Sequence, residues 1–126
     1  MSTAGEIVQT VLDVAVAGDN WANLTFRPSV CLIGKDRADQ AKPKKTVFIK
    51  EGEGSHENTV NRVPIFTKDF CTLRVVMANH DDRENALADI KVMFQNSSNA
   101  ITIRGYSRED RMDLFIMAIR AEVSNI

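Results

Sequence analysis

His80-Asp81-Asp82 sets three metal-capable side chains in a row, the first place where this chain offers chemistry. Consecutive residues at a helix start point in different directions, and the unpaired amides and positive end of the helix favour carboxylates there. The run is therefore read as a helix cap, with Glu84 three residues after Asp81 completing a capping box. His56, in Gly54-Ser55-His56-Glu57, is a lone imidazole without the further ligands at defined spacing that zinc requires. The glycines of Glu51-Gly52-Glu53-Gly54 suggest a phosphate cradle, but no lysine follows in P-loop position and the flanking acids repel phosphate. Cys31 and Cys71 have no histidine near them in sequence and sit among apolar residues, as core thiols do. No pair of groups is poised for acid–base work. No catalytic residue, metal or cofactor is expected, and the chain is expected not to be an enzyme.

Two clusters of charge remain. Arg104, Arg108, Glu109, Asp110, Arg111 and Asp113 mix signs around what reads as a turn, Gly105 to Arg111. Such a cluster is either a solvated hairpin tip or an inter-subunit rim, where mixed charges give register and orientation more than affinity. Lys35, Arg37, Lys42, Lys44 and Lys45 form a basic stretch with no interleaved aromatics. Contact with single-stranded nucleic acid through that loop is the alternative function, and it would be salt-sensitive.

The elements that would carry these residues are legible from periodicity. Thr3-Ala4-Gly5-Glu6 matches a capping box, and Ile7, Val8, Val11, Leu12 and Ala15 follow at helical spacing, predicting a helix over Ala4–Ala17 with Gly18 as its stop. Val14 and Val16 widen its apolar face, which suggests contact with a second layer or a neighbouring subunit. Short strands are predicted at Val30–Ile33 and Thr46–Lys50, and a long one at Phe66–Met77. In the long strand Cys71, Leu73, Val75 and Met77 share one face, with Phe70, Thr72, Arg74 and Val76 on the other. Long loops are expected at 34–45 and 51–65. Ala86, Leu87, Ile90, Met93 and Phe94 mark a second helix, followed by strands at Ala100–Arg104 and Met112–Val123. The last strand is apolar on both faces until Arg120 and Glu122, as a central or covered strand would be. The expected fold is a single α+β domain over residues 1–126, a mostly antiparallel sheet with both helices on one face, in the order α-β-β-β-α-β-β.

Composition narrows the class. The chain has 126 residues and a net charge of −1, without the basic surplus of a typical nucleic-acid module. No apolar run approaches the roughly 20 residues that cross a bilayer, and no secretory leader is visible. A soluble intracellular domain with reduced cysteines is the expectation.

The element order and several local strings resemble the tail terminator proteins of tailed bacteriophages, a family of small tail-completion (head–tail joining) proteins. Thr46-Val47-Phe48-Ile49-Lys50-Glu51-Gly52-Glu53 is similar to the family strand that follows a Pro-containing connection. Phe70–Met77 with the Asp81–Asn96 helix is similar to its central strand–helix pair. Gly105-Tyr106-Ser107-Arg108-Glu109-Asp110-Arg111-Met112 looks like its Gly-Tyr turn into the closing strand. The resemblance implies a virion structural protein of the tail and neck, assembled in the host cytoplasm. Its copies would form a ring, expected to be a homohexamer, that caps the tail tube and joins it to the neck. Partners would be other copies, the tail tube protein and neck or connector proteins, with no membrane, and nucleic acid only if the ring lines a DNA channel. Arg104, Arg108, Glu109, Asp110, Arg111, Asp113, Arg120 and Glu122 would then bridge subunits. Lys35, Arg37, Lys42, Lys44, Lys45, Glu51, Glu53 and His56 would sit on loops reaching axial partners.

Overall fold

Thr3 and Glu6 close the expected capping box: the Thr3 hydroxyl accepts from the Glu6 amide at 3.2 Å, and the Thr3 amide donates to Glu6 Oε1 at 3.1 Å. Helix α1 (Ala4–Asp13) runs from that cap. The computed structural model describes residues 3–13, 21–26, 28–34, 44–52, 56–60, 63–98 and 100–124, with backbone alone at 56–60 and 63–68. The expected continuation of the first helix to Ala17, its stop at Gly18 and most of the basic stretch lie outside the described residues.

The fold is α+β, a mostly antiparallel sheet with two helices. After α1 come β1 (Ser29–Leu32), β2 (Thr46–Glu51), β3 (His56–Val60) and β4 (Val63–Met77). Helix α2 (His80–Asn96) and the strands β5 (Ala100–Arg111) and β6 (Leu114–Ser124) complete it. Strand order is β1-β2-β4-β6-β5, parallel between β1 and β2 and antiparallel elsewhere. β3 pairs with the first half of β4, beyond the end of β2.

Three expectations are corrected. The loop expected at 51–65 is interrupted by β3 and the start of β4, whose hydrogen-bond ladder needs no buried side chains to form. A register shift between Asn58 and Thr59 falls where Pro64 stands opposite, a residue with no amide to give the ladder. The charged segment Gly105–Arg111 is strand rather than turn, paired residue by residue with Leu114–Arg120 of β6. Gly105 marks a bulge after Ile103, the usual meaning of glycine inside a strand, and the turn itself lies at Met112-Asp113, with Met112 at φ 51. Finally, α2 is capped by Asn79, whose side chain accepts from the Asp82 amide at 2.8 Å and donates to the Asp82 carboxylate at 3.0 Å. The capping chemistry is as anticipated, begun two residues earlier.

The alternation read in β4 and β6 sets the two faces. Leu73, Val75 and Met77 on β4 and Met117, Ile119 and Ala121 on β6 are fully buried with Val47 and Ile49 of β2. Ala4, Val8 and Leu12 of α1 and Ala86, Leu87, Ile90, Met93 and Phe94 of α2 pack into the same cluster, so both helices cover one face. Each large apolar side chain so buried contributes about 1.5–3 kcal/mol before entropy is counted. β6 lies between β4 and β5, which accounts for its apolar residues on both sides. The second face of the sheet carries no helix among the described residues.

Candidate functional site

Because β5 is a strand, alternation divides the mixed-charge cluster between the two faces of the sheet. Tyr106, Arg108 and Asp110 stand opposite Ile119, Met117 and Phe115, on the helix side. There Arg108 donates to Glu84 of α2 at 3.0 and 2.7 Å, while buried Arg83 donates to Glu84 at 3.1 Å and is paired with Asp110. Arg83 also lies over the Phe115 ring, 5.6 Å from its centre, and Tyr106 sits between Lys91 and Arg108 at 5.1 and 5.3 Å. Hydrogen bonding from Arg108, with a smaller share from Arg83, holds the Glu84 carboxyl below its ordinary range. Glu109 and Arg111 turn to the other face and pair with each other at 2.7 Å. Arg104, on that face too, is paired with Glu122, which is 3% exposed. Much of the expected inter-subunit rim is thus committed within the chain, where it clamps the β5–β6 hairpin to α2 and to itself.

The loop residues divide in the same way. Glu51 closes β2 rather than reaching outward. Its carboxylate accepts from the Gly5 amide at 3.2 Å and from the Thr3 hydroxyl, while Asp69 of β4 accepts from the Ala4 amide at 2.8 Å. Two carboxylates from neighbouring strands therefore satisfy the free amides that open α1. Cys71 lies opposite Glu51, and burial, then the charges of Glu51 and Asp69, push its thiol up to about 12. Cys31 and Cys71 are both buried and outside any disulfide, on opposite faces of the sheet. Lys44 pairs with Asp113 and draws that carboxyl down, and Lys45 lies over the Phe26 ring at 4.7 Å. Lys35, Arg37, Lys42 and Glu53 lie outside the described residues, and of His56 only the backbone, in β3, is described. Among the described residues no three His, Cys, Asp or Glu side chains gather as metal ligands do.

Several features could not be read from spacing. Asp89 is 2% exposed on α2 and receives the Asn23 amide at 3.1 Å and the Asn23 side-chain amide at 2.7 Å, which pins the Trp21–Asn23 turn to the helix. Desolvation raises its carboxyl, against the lowering effect of those bonds. The two ends of the sheet, β1 and β5, each have one unpaired side among the described strands. Exposed apolar residues accompany them: Ile33 just after β1, Tyr106 on β5, Val92 on the neighbouring α2, and Met112 fully exposed at the hairpin turn. No helix among the described residues is long and apolar enough to cross a membrane. Comparison with protein-family models and with curated proteins returns no match.

Proposed function

We propose that this chain is a structural assembly protein of a tailed-bacteriophage virion, a tail terminator whose copies close into a ring on the tail tube. The observation that carries the reading is the pair of sheet edges, at opposite ends of one subunit, that have no partner strand among the described residues. β5 runs antiparallel to β6 and hence to β1, since β6 and β2 share a direction and β1 follows β2. A neighbour rotated about a common axis would bring its β1 beside β5 in an antiparallel sense, continuing the sheet from copy to copy. Heterologous contacts of this kind close into rings when the rotation permits. Ile33 and Met112 supply apolar surface at or near the two edges. A long unpaired edge is otherwise a liability that monomeric sheets blunt. The tail tube protein and a neck protein would meet the two ends of such a ring. No group is assigned a catalytic role in this reading.

Lys44 and Lys45 already have intrachain contacts, which weighs against the basic stretch as the main working surface. Native mass measurement of the purified chain and of isolated tails tests the proposal. A discrete ring is expected, either free or formed on tails, and Ile33→Lys should disperse it without lowering the thermal midpoint. A single copy per tail, or absence from assembled particles, would exclude the terminator role.

A further inference from the structure

The face of the sheet opposite α1 and α2 carries cations that only the strand register brings together. Lys50 on β2, Thr72 on β4 and Arg120 on β6 stand side by side, and Arg74 lies one step along β4, opposite Phe48. Lys50, Arg74 and Arg120 are exposed, while Phe48 and Phe70 are half-buried at either side of them. By sheet geometry the Lys50 and Arg120 backbones are about 10 Å apart, and Arg74 is about 8 Å from each. Arg120 lies over the Phe70 ring at 4.7 Å. The two acids placed on this face by the same register, Glu109 and Glu122, are already paired with Arg111 and Arg104. The chain as a whole is nearly neutral, yet this face holds a surplus of positive charge at one spot.

We propose that this face binds single-stranded nucleic acid, with Lys50, Arg74 and Arg120 on successive phosphates, Phe48 as a stacking surface and Phe70 backing the Arg120 guanidinium. Charge complementarity selects a polyanion, because the face offers three cations and no uncompensated acid among the described residues. Interleaved aromatics select a strand with unstacked bases: a base gains from a ring face, whereas a duplex keeps its bases stacked inside. A broad sheet also cannot enter a groove as a helix or a two-stranded ribbon does. Arg120 above Phe70 offers a guanidinium plane on which a base can lie.

Fluorescence anisotropy of the full chain with a labelled 20-nucleotide single strand, titrated from 50 to 300 mM salt, tests this. Neutralising three phosphates on a single strand gives a log–log salt slope of about −2. The triple variant Lys50→Ala, Arg74→Ala, Arg120→Ala should weaken binding at least tenfold at low salt and flatten the slope. Phe48→Leu should weaken binding with the slope unchanged. Photocrosslinking of the unaltered chain to a thiothymidine-substituted strand provides a readout that no folding defect can imitate, and its adducts should map to β2, β4 and β6. Three results would each overturn the proposal: no binding at 50 mM salt, a duplex bound as tightly as the single strand, or crosslinks confined to residues 35–43.

Discussion

Arg108 on β5 grips Glu84 on α2 through two guanidinium nitrogens, at 3.0 and 2.7 Å, across 24 positions of sequence. The contact fixes the outer hairpin against α2, which carries Glu84 near its N-terminal end. Its pH signature follows from the lowered Glu84 carboxyl. A carboxyl with a depressed folded-state pKa contributes stability above its unfolded range and loses it as pH falls through the folded value. Glu84→Gln should therefore cost about 0.5–1 kcal/mol near neutrality, and the difference from the natural chain should vanish in acid. Urea melts of both proteins at pH 7 and pH 3 measure it. An equal gap at the two pH values would mean that the charge is not what matters.

The same strand shows where sequence reasoning reaches its limit. Gly105 to Arg111 reads locally as a turn because glycine and charge usually punctuate chains. Nothing local reveals that β6 supplies an uninterrupted ladder for it, or that alternate charges find Arg83 and Glu84 on the helix. By contrast, the faces of β4 and β6 and the Thr3–Glu6 box were legible, since a period of two and a cap are properties of neighbouring residues. Lys50, Arg74 and Arg120 fall in three separate strands, and only their register makes them a group. Glu51 and Asp69 hold the start of α1 from 46 and 65 positions away, a separation that spacing rules do not span.

Asp89 provides the second prediction. Its carboxylate answers both Asn23 donors while almost wholly removed from water. Asp89→Ala leaves those donors unpaired and should cost about 2 kcal/mol. Asp89→Asn keeps an acceptor and relieves the desolvated charge, so it should cost distinctly less. Because the folded carboxyl is raised, its contribution is fully present below the unfolded pKa and is lost as pH rises through the folded value. The natural chain should thus lose stability relative to Asp89→Asn as pH increases through that window. Thermal midpoints between pH 3 and pH 7 decide the sign.

Cys71 should be chemically silent in the folded chain. A thiol pushed up to about 12 holds almost no thiolate at pH 8, and burial closes the approach of a reagent. Cys31 is buried as well. Native protein treated with a thiol-specific chromophoric reagent at pH 8 should release colour only at the rate of unfolding, and promptly in denaturant. Fast stoichiometric labelling without denaturant would place at least one thiol at the surface.

Two glycine-to-alanine substitutions should act in opposite directions. At Gly5 a methyl group would lie 2.4 Å from Glu51 Oε1 and 2.8 Å from Leu32 Cδ1, against the carboxylate that receives the Gly5 amide. Overpacking of this kind costs about 1–3 kcal/mol, more than the roughly 1 kcal/mol by which alanine outperforms glycine inside a helix. Gly5→Ala should lower the thermal midpoint, and part of the loss should come from Glu51 being driven off the α1 amides. Gly105 has open space where a methyl would stand, and its φ lies outside the left-handed region. Gly105→Ala should accordingly leave stability unchanged or raise it by about 0.5–1 kcal/mol, because the unfolded chain loses freedom. A destabilised Gly105→Ala protein would show that the bulge after Ile103 needs glycine for a reason its backbone and surroundings do not reveal.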